Sequence, residues 1–204
     1  MSTPGQRIKR PADPGPITRI AWRLARRQVG GELPEPVAVM GHHPKLMHGY
    51  AALELALEHS KRVPRRLKHL AELKAAAVCG CAWCMDFGSS LSAELGLDEE
   101  QMRELPRFRE SERFSEDEKL VLEYGEAVTR TPVDVPEELF ARLRDRFDEG
   151  QIVELTFAIA IENLRARFNW ALAIGSQGYS DGAFCIRPET LPGAAAPARS
   201  AAES

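Results

Sequence analysis

The sequence lacks several features that would assign it to a class at once. No apolar run approaches the ~18 residues that a membrane-spanning helix needs, so no span is expected. Neither charge dominates: 27 Lys and Arg face 30 Asp and Glu, for a formal charge of −3. A general nucleic-acid binder neutralises phosphates with a surplus of basic residues, and none is present. No compact apolar segment follows the first basic residues, so no secretory signal is expected and a cytoplasmic location is. Period-two alternation of apolar and polar residues is almost missing, which removes the usual signature of half-buried strands. Cysteine is scarce, at four in 204 residues, whereas a secreted disulfide scaffold spreads its cysteines through a shorter chain.

What remains has ordinary globular proportions, 44% apolar and 28% charged, in a length that suits one domain with a sizeable core. Helical spacing recurs throughout, so the fold class expected is all-α. Residues 1–16, with four prolines, read as a mobile N-terminal arm. Residues 17–187 read as a single helical domain, and 188–204 as a disordered C-terminal tail. Ile17, Ile20, Ala21, Leu24 and Ala25 form an apolar stripe among Arg19, Arg23, Arg26 and Arg27, stopped by Gly30-Gly31. That stripe is expected to pack on the domain or on a neighbouring subunit. Further helices are expected at about 34–40 and 44–59, the second with Leu46, Tyr50, Leu53 and Leu57 on one face. Pro64 opens the next at its first turn and carries it through RRLKHLAELKAAAVCG, and another begins near the cysteines and runs to Gly96. Asp98 is an N-cap for a short helix, and Ser115 with Glu118 has capping-box spacing for a helix over 116–130. Pro136 begins a helix ending near Gly150, and the last spans about 151–174.

Three cysteines, Cys79, Cys81 and Cys84, fall within six residues. Cys81-Ala82-Trp83-Cys84 is a CxxC, and residues three apart share a helix face, so the two sulfurs can meet in a disulfide. If the pair opens a helix, the first cysteine sits near unpaired N–H groups and the positive end of the macrodipole, and both favour thiolate. A thiolate attacks a peroxide O–O bond or another disulfide, and a neighbouring thiol closes the cycle by condensing with the sulfenic acid. The alternatives are metal binding and inert packing among Ala75-Ala76-Ala77-Val78. A metal site would need Cys79 as a third ligand, and on a continuous helix Cys79 and Cys81 point about 200° apart. No metal is therefore expected, and Cys79 reads as core. Upstream, His69 and Glu72 share a face, twelve and nine residues before Cys81. A chain reversal near Gly80 would bring that face toward the thiols as a base or proton relay; otherwise the two are a surface pair. Asp86, in the first turn, reads as an acid that favours the helix dipole.

The segment LKHLAELKAAAVCGCAWCMDFGSSLSAELGL resembles the core of the carboxymuconolactone decarboxylase / alkyl hydroperoxidase D-like (AhpD-like) family. The stretch IVELTFAIAIENLRARFNWALAIGSQG resembles the C-terminal helix of a subgroup, so the likeness covers roughly residues 35–187. It implies an AhpD-like helical bundle, no cofactor, and a homo-oligomer, trimer or hexamer. It also implies reduction of hydroperoxides by the CxxC pair, with electrons from a thiol, lipoyl or peroxiredoxin-type donor. By this analogy Cys84 attacks the peroxide and Cys81 resolves it. Two positions depart from the pattern. The glutamate twelve residues before the first cysteine is His69 here, and the histidine four residues after the second is Gly88. Glu72, one turn from His69, is the candidate replacement carboxylate. The expected function is thus a thiol-dependent oxidoreductase of the alkyl hydroperoxidase or peroxiredoxin type, with Cys84, Cys81, Glu72 and His69 as catalytic candidates. The alternatives are a decarboxylase-like enzyme acting on a small carboxylated lactone, and a helical oligomer without catalysis.

Other residues are read more simply. His42, His43 and His48, around Pro44, read as solvated turn histidines. Glu162, Asn163, Arg165, Arg167 and Asn169 are polar positions on an otherwise apolar helix, where they either line a pocket or interface or form its solvated face. Trp83, inside the CxxC, either shapes the thiol pocket or packs. Cys185 is an extra resolving thiol only if the C-terminal segment folds back onto the site.

Overall fold

The helix signals translate into nine α-helices among the described residues, with no strand among them. The computed structural model describes residues 5–180. Cys185 and the 188–204 tail lie outside the described residues. The helices are α1 (Pro16–Gln28), α2 (Glu35–Met40), α3 (Pro44–His59), α4 (Arg65–Cys79), α5 (Ala82–Ser92), α6 (Glu99–Glu104), α7 (Glu116–Thr129), α8 (Glu137–Arg146) and α9 (Glu149–Ala171).

Their ends follow local chemistry. Asp98, Ser115 and Asp148 each accept a backbone N–H three residues on, while Gln101, Glu118 and Gln151 reach back, forming three capping boxes. The third corrects the expected boundary: α8 ends at Arg146, and Asp148 starts α9 rather than closing α8. Gly80, with φ +68°, ends α4 in the left-handed region, where a residue without Cβ pays no steric penalty. That reversal frees Cys81 to cap the next helix.

The central helix is α4, packed against α5, α7 and α9. Its small side chains Ala71, Ala75, Ala76 and Ala77 are buried, and they let neighbouring backbones approach closely. At the crossing with α7 the fit is so tight that a Cβ on Gly125 would lie 2.8 Å from the Ala71 carbonyl oxygen.

At the N-terminal end, α1 turns Trp22 and Thr18 inward, and the Trp22 ring packs with Leu33, Ala38 and Met47. Ile17, Ile20 and Leu24 point outward instead, so this half of the expected stripe does not join the core. The segment before α1 is tied down: the Arg7 N–H donates to the Leu172 carbonyl, and Gln6 and Arg10 both bind Glu35.

Candidate active site

The chain reversal at Gly80 makes Cys81 the N-cap of α5, with its sulfur accepting the Cys84 N–H at 3.2 Å. One turn brings Cys84 back to the same side, and the two cysteines are joined in a disulfide with Cα atoms 5.3 Å apart. Cys81 is 2% exposed and Cys84 6%, so in a single chain the pair is almost wholly covered. The cover is not purely hydrocarbon. Asn169, in the last turn of α9 and itself buried, directs its amide Nδ2 at both sulfurs, 3.6 Å from Cys81 and 3.5 Å from Cys84. Its Oδ1 is buried without a hydrogen-bond partner. A donor amide aimed at sulfur stabilises negative charge there, as does the N–H at the cap.

Asp86 does more than favour the helix dipole. Its carboxylate is buried, and its two oxygens accept six hydrogen bonds from the strap Ser176–Ser180. Oδ2 takes the Ser176 hydroxyl (2.8 Å) and the N–H groups of Gln177, Gly178 and Tyr179 (2.9, 2.8 and 3.1 Å). Oδ1 takes the N–H and hydroxyl of Ser180 (2.8 and 2.7 Å). Burial alone would raise this carboxyl's pKa, but the donors from Ser180, Ser176 and Tyr179 outweigh it and hold it below the usual range. The strap in turn reaches the CxxC. Trp83 donates its indole N–H to Gln177 Oε1 at 2.7 Å, Phe87 stacks on its ring and Tyr179 meets both rings edge-on. The same Gln177 oxygen accepts the Glu35 N–H, so N-terminal and C-terminal segments meet beside the thiol pair.

The other two candidates lie elsewhere. Among the described residues, no hydrogen bond joins His69 or Glu72 to either sulfur. His69 is buried and meets the Ser92 hydroxyl at 3.1 Å, and burial beside Arg65 lowers its pKa to about 4, so it is neutral at pH 7. Gly88 packs against the same helix: a Cβ there would fall 2.7 Å from Leu73 Cδ2, so the bare backbone admits the Leu73 side chain, while His69 Cε1, at 3.9 Å, would be in ordinary contact.

Glu72 belongs to a cluster that sequence reading reached only in part. Arg165 binds Glu54 through two nitrogens (2.8 and 2.5 Å), Glu72 at 3.0 Å and Glu162 at 2.8 Å. Three carboxylates share one guanidinium, and Glu162 Oε1 is left buried without a partner. Burial raises the pKa values of Glu72 and Glu162, the latter to about 7, against the pull of Arg165. The cluster therefore retains a proton near neutrality. Arg165 stays charged because the carboxylates outweigh its burial. Glu162, Arg165 and Asn169 recur at three- and four-residue spacing, so one face of α9 carries both the cluster and the amide on the disulfide. Glu54 is not among the candidates the sequence offers, because a lone Glu on a half-exposed helix has no distinguishing signal.

Residues 44–127 match the model of the carboxymuconolactone decarboxylase family. Among curated proteins, the uncharacterized protein YnjA of Escherichia coli is 36% identical over 160 residues, 78% of this chain and 86% of that protein. The uncharacterized protein YdfG of Bacillus subtilis is 31% identical over 119 residues, 58% of this chain and 80% of that one. Among solved structures, an uncharacterized peroxidase-related protein from Ralstonia eutropha, with an alkylhydroperoxidase AhpD core, superposes with a TM-score of 0.75. It is 16% identical, with 91% of this chain and 100% of that one covered. A cysteine-to-alanine variant of the debrominase Bmp8, in complex with 2,3,4-tribromopyrrole, gives 0.74 at 20% identity, covering 88% and 95%. At these identities the two structures speak for the fold.

Proposed function

Because the chain belongs to the carboxymuconolactone decarboxylase family and has an AhpD-like helical fold, we propose that it is a thiol-dependent oxidoreductase that reduces hydroperoxides through Cys81 and Cys84. The observation that carries this reading is the bonded pair at the α5 N-terminus, with the Asn169 amide against both sulfurs. In the reduced protein the Cys84 thiolate attacks the distal oxygen of a hydroperoxide. The O–O bond breaks, the alcohol leaves with a proton, and Cys84 becomes a sulfenic acid. The Cys81 sulfur then attacks Cys84, water leaves, and the disulfide forms. A thiol, lipoyl or peroxiredoxin-type donor returns two electrons and two protons. When the donor attacks Cys84, the Cys81 sulfur leaves as a thiolate that the Cys84 N–H and the helix terminus stabilise, and a more acidic thiol leaves faster.

His69 and Glu72 enter this reading as proton-handling residues acting from a distance. The Glu72 cluster retains a proton near neutrality on the same side of α9 as Asn169, and His69 supplies a neutral imidazole beside the Ser92 hydroxyl. No helix among the described residues is long and apolar enough to cross a membrane, and we read the protein as cytoplasmic.

Quantitative thiol mapping of the reduced protein, before and after one equivalent of an organic hydroperoxide, tests the proposal. Two thiols should disappear, both from the peptide holding Cys81 and Cys84, while Cys79 and Cys185 stay alkylatable. Unchanged thiols, or a bond between any other pair, would sink it.

Self-association is part of the same reading. Val153, Phe157 and Leu164 are exposed at four- and seven-residue spacing along α9, an apolar stripe that the single chain leaves uncovered. Further copies covering that stripe would build the homo-oligomer, a trimer or hexamer, that the family resemblance implies. Light scattering should then return a multiple of 22.6 kDa, and Phe157→Lys should lower it. A monomer mass for the parent protein would rule this out.

A further inference from the structure

Arg167 and Asn169 are two residues apart on α9 and so point about 200° away from each other. While Asn169 meets the disulfide, Arg167 faces a separate groove of about 540 Å³, whose walls include Cys79, Arg130, Thr131 and Asp134. That volume is within the range of small-molecule sites.

The groove is cationic. Arg167 donates to Thr131 Oγ1 at 3.3 Å, to Asn163 Oδ1, and to the Cys79 sulfur at 3.8 Å. All three partners are neutral, and no carboxylate pairs with it among the described residues. Arg130 shares the single carboxylate of Glu126 with Lys74 and Arg109. Burial would raise the Glu126 pKa, yet these cations outweigh it and keep the group ionised. The groove's own lining sets Arg130, already bound to Glu126, and Arg167 against Asp134. Arg167, whose partners are all neutral, thus gives this wall a cation that suits an anionic ligand.

Cys79 is a free, half-buried thiol in the same wall, donating to Asn163 Oδ1 at 3.7 Å. Burial pushes its pKa up, Arg167 offsets that only in part, and the Glu162 carboxylate adds to the rise. A guanidinium N–H is already in place to stabilise the thiolate.

We propose that this groove binds a small disulfide bearing carboxylates, and that Cys79 exchanges with it to form a mixed disulfide. The Cys79 thiolate attacks one sulfur of the ligand and a new S–S bond forms. The ligand's own S–S bond breaks, and the departing thiolate takes the proton that Cys79 gave up. Cys79 is oxidised and half of the ligand is reduced, so the ligand itself is the oxidant. The site does not depend on the peroxidase reading, because it operates with Cys81 and Cys84 already bonded to each other.

The test uses the oxidised, full-length protein with three reagents: glutathione disulfide (net anionic), bis(2-hydroxyethyl) disulfide (neutral) and cystamine (cationic). Adducts are located by peptide mass, and rates are taken at low and high salt. At low salt Cys79 should react with the anionic reagent about tenfold faster than with the neutral one, and slowest with the cationic one. High salt should compress that order. Arg167→Gln changes an exposed side chain, and it should bring the anionic-to-neutral ratio near one. Because that ratio cancels any change in thiol acidity, it isolates ligand recognition. Equal rates for all three reagents, adducts confined to Cys185, or a ratio unmoved by Arg167→Gln would each overturn the proposal.

Discussion

Cys84→Ser is expected to lower peroxide-dependent thiol consumption by about a thousandfold or more, since it removes the proposed attacking sulfur. A thousandfold corresponds to ~4 kcal/mol of lost transition-state stabilisation. Cys81→Ser should behave differently. It keeps the first half-reaction, so one equivalent of hydroperoxide should leave a sulfenic acid at Cys84 that a dimedone-type reagent traps, while steady turnover stops. The pairing matters because Cys81, with the Cys84 N–H on its sulfur, has its own claim to the thiolate. If Cys81→Ser yields no sulfenic acid and Cys84→Ser does, the two roles are reversed. If Cys84→Ser turns over peroxide at the parent rate, the CxxC is not the site of chemistry. The serine changes are small, and both positions remain buried inside α5 and its cap, so circular dichroism should separate loss of chemistry from loss of fold.

The elements that sequence reading located best are those whose signals are local. Ser115 with Glu118 and Asp98 before its helix start helices through bonds within four residues, and the structure has them where expected. The CxxC is local in the same way: spacing alone brings the sulfurs to one face, and they are bonded. Asp148 was misplaced because it sits between two helices and is compatible with ending one or starting the other. Only Gln151, reaching back to its N–H, decides between them.

What escaped the sequence was long-range. The Ile17, Ile20 and Leu24 stripe has helical spacing, but Trp22 offers far more apolar surface to bury, and it sets the rotation of α1. Glu54 joins Glu72, Glu162 and Arg165 only because α3, α4 and α9 pack together, and no spacing rule spans the 111 residues between Glu54 and Arg165. Gly88 looked like a missing group. In three dimensions its bare backbone is the surface on which the Leu73 side chain of α4 packs, a contact that no spacing in the sequence announces.

Asp86→Ala should release the strap. Removing the carboxylate leaves four backbone N–H groups and two hydroxyls without their acceptor, and a buried donor left unpaired costs about 1–3 kcal/mol. The strap can recover some of that by moving into water, so the expected loss of unfolding free energy at pH 7 is roughly 2–4 kcal/mol. Hydrogen exchange gives the local readout: the amides of residues 177–180 should lose protection while those of α4 keep theirs. The pH dependence has a definite sign. The folded-state pKa of Asp86 is depressed, so its contribution is complete above the ordinary carboxyl pKa of about 3.9 and fades as pH falls through the lower folded value. Parent and variant should therefore begin to converge in stability only as pH falls below about 4. Because Gln177 ties this strap to Trp83, a detached strap should also expose the disulfide, and a small dithiol should reduce Cys81–Cys84 faster in the variant. Retained protection at 177–180 would mean that the six bonds to Asp86 do not hold the strap. Retained reduction kinetics with lost protection would mean that the strap is held by Asp86 but does not guard the thiol pair.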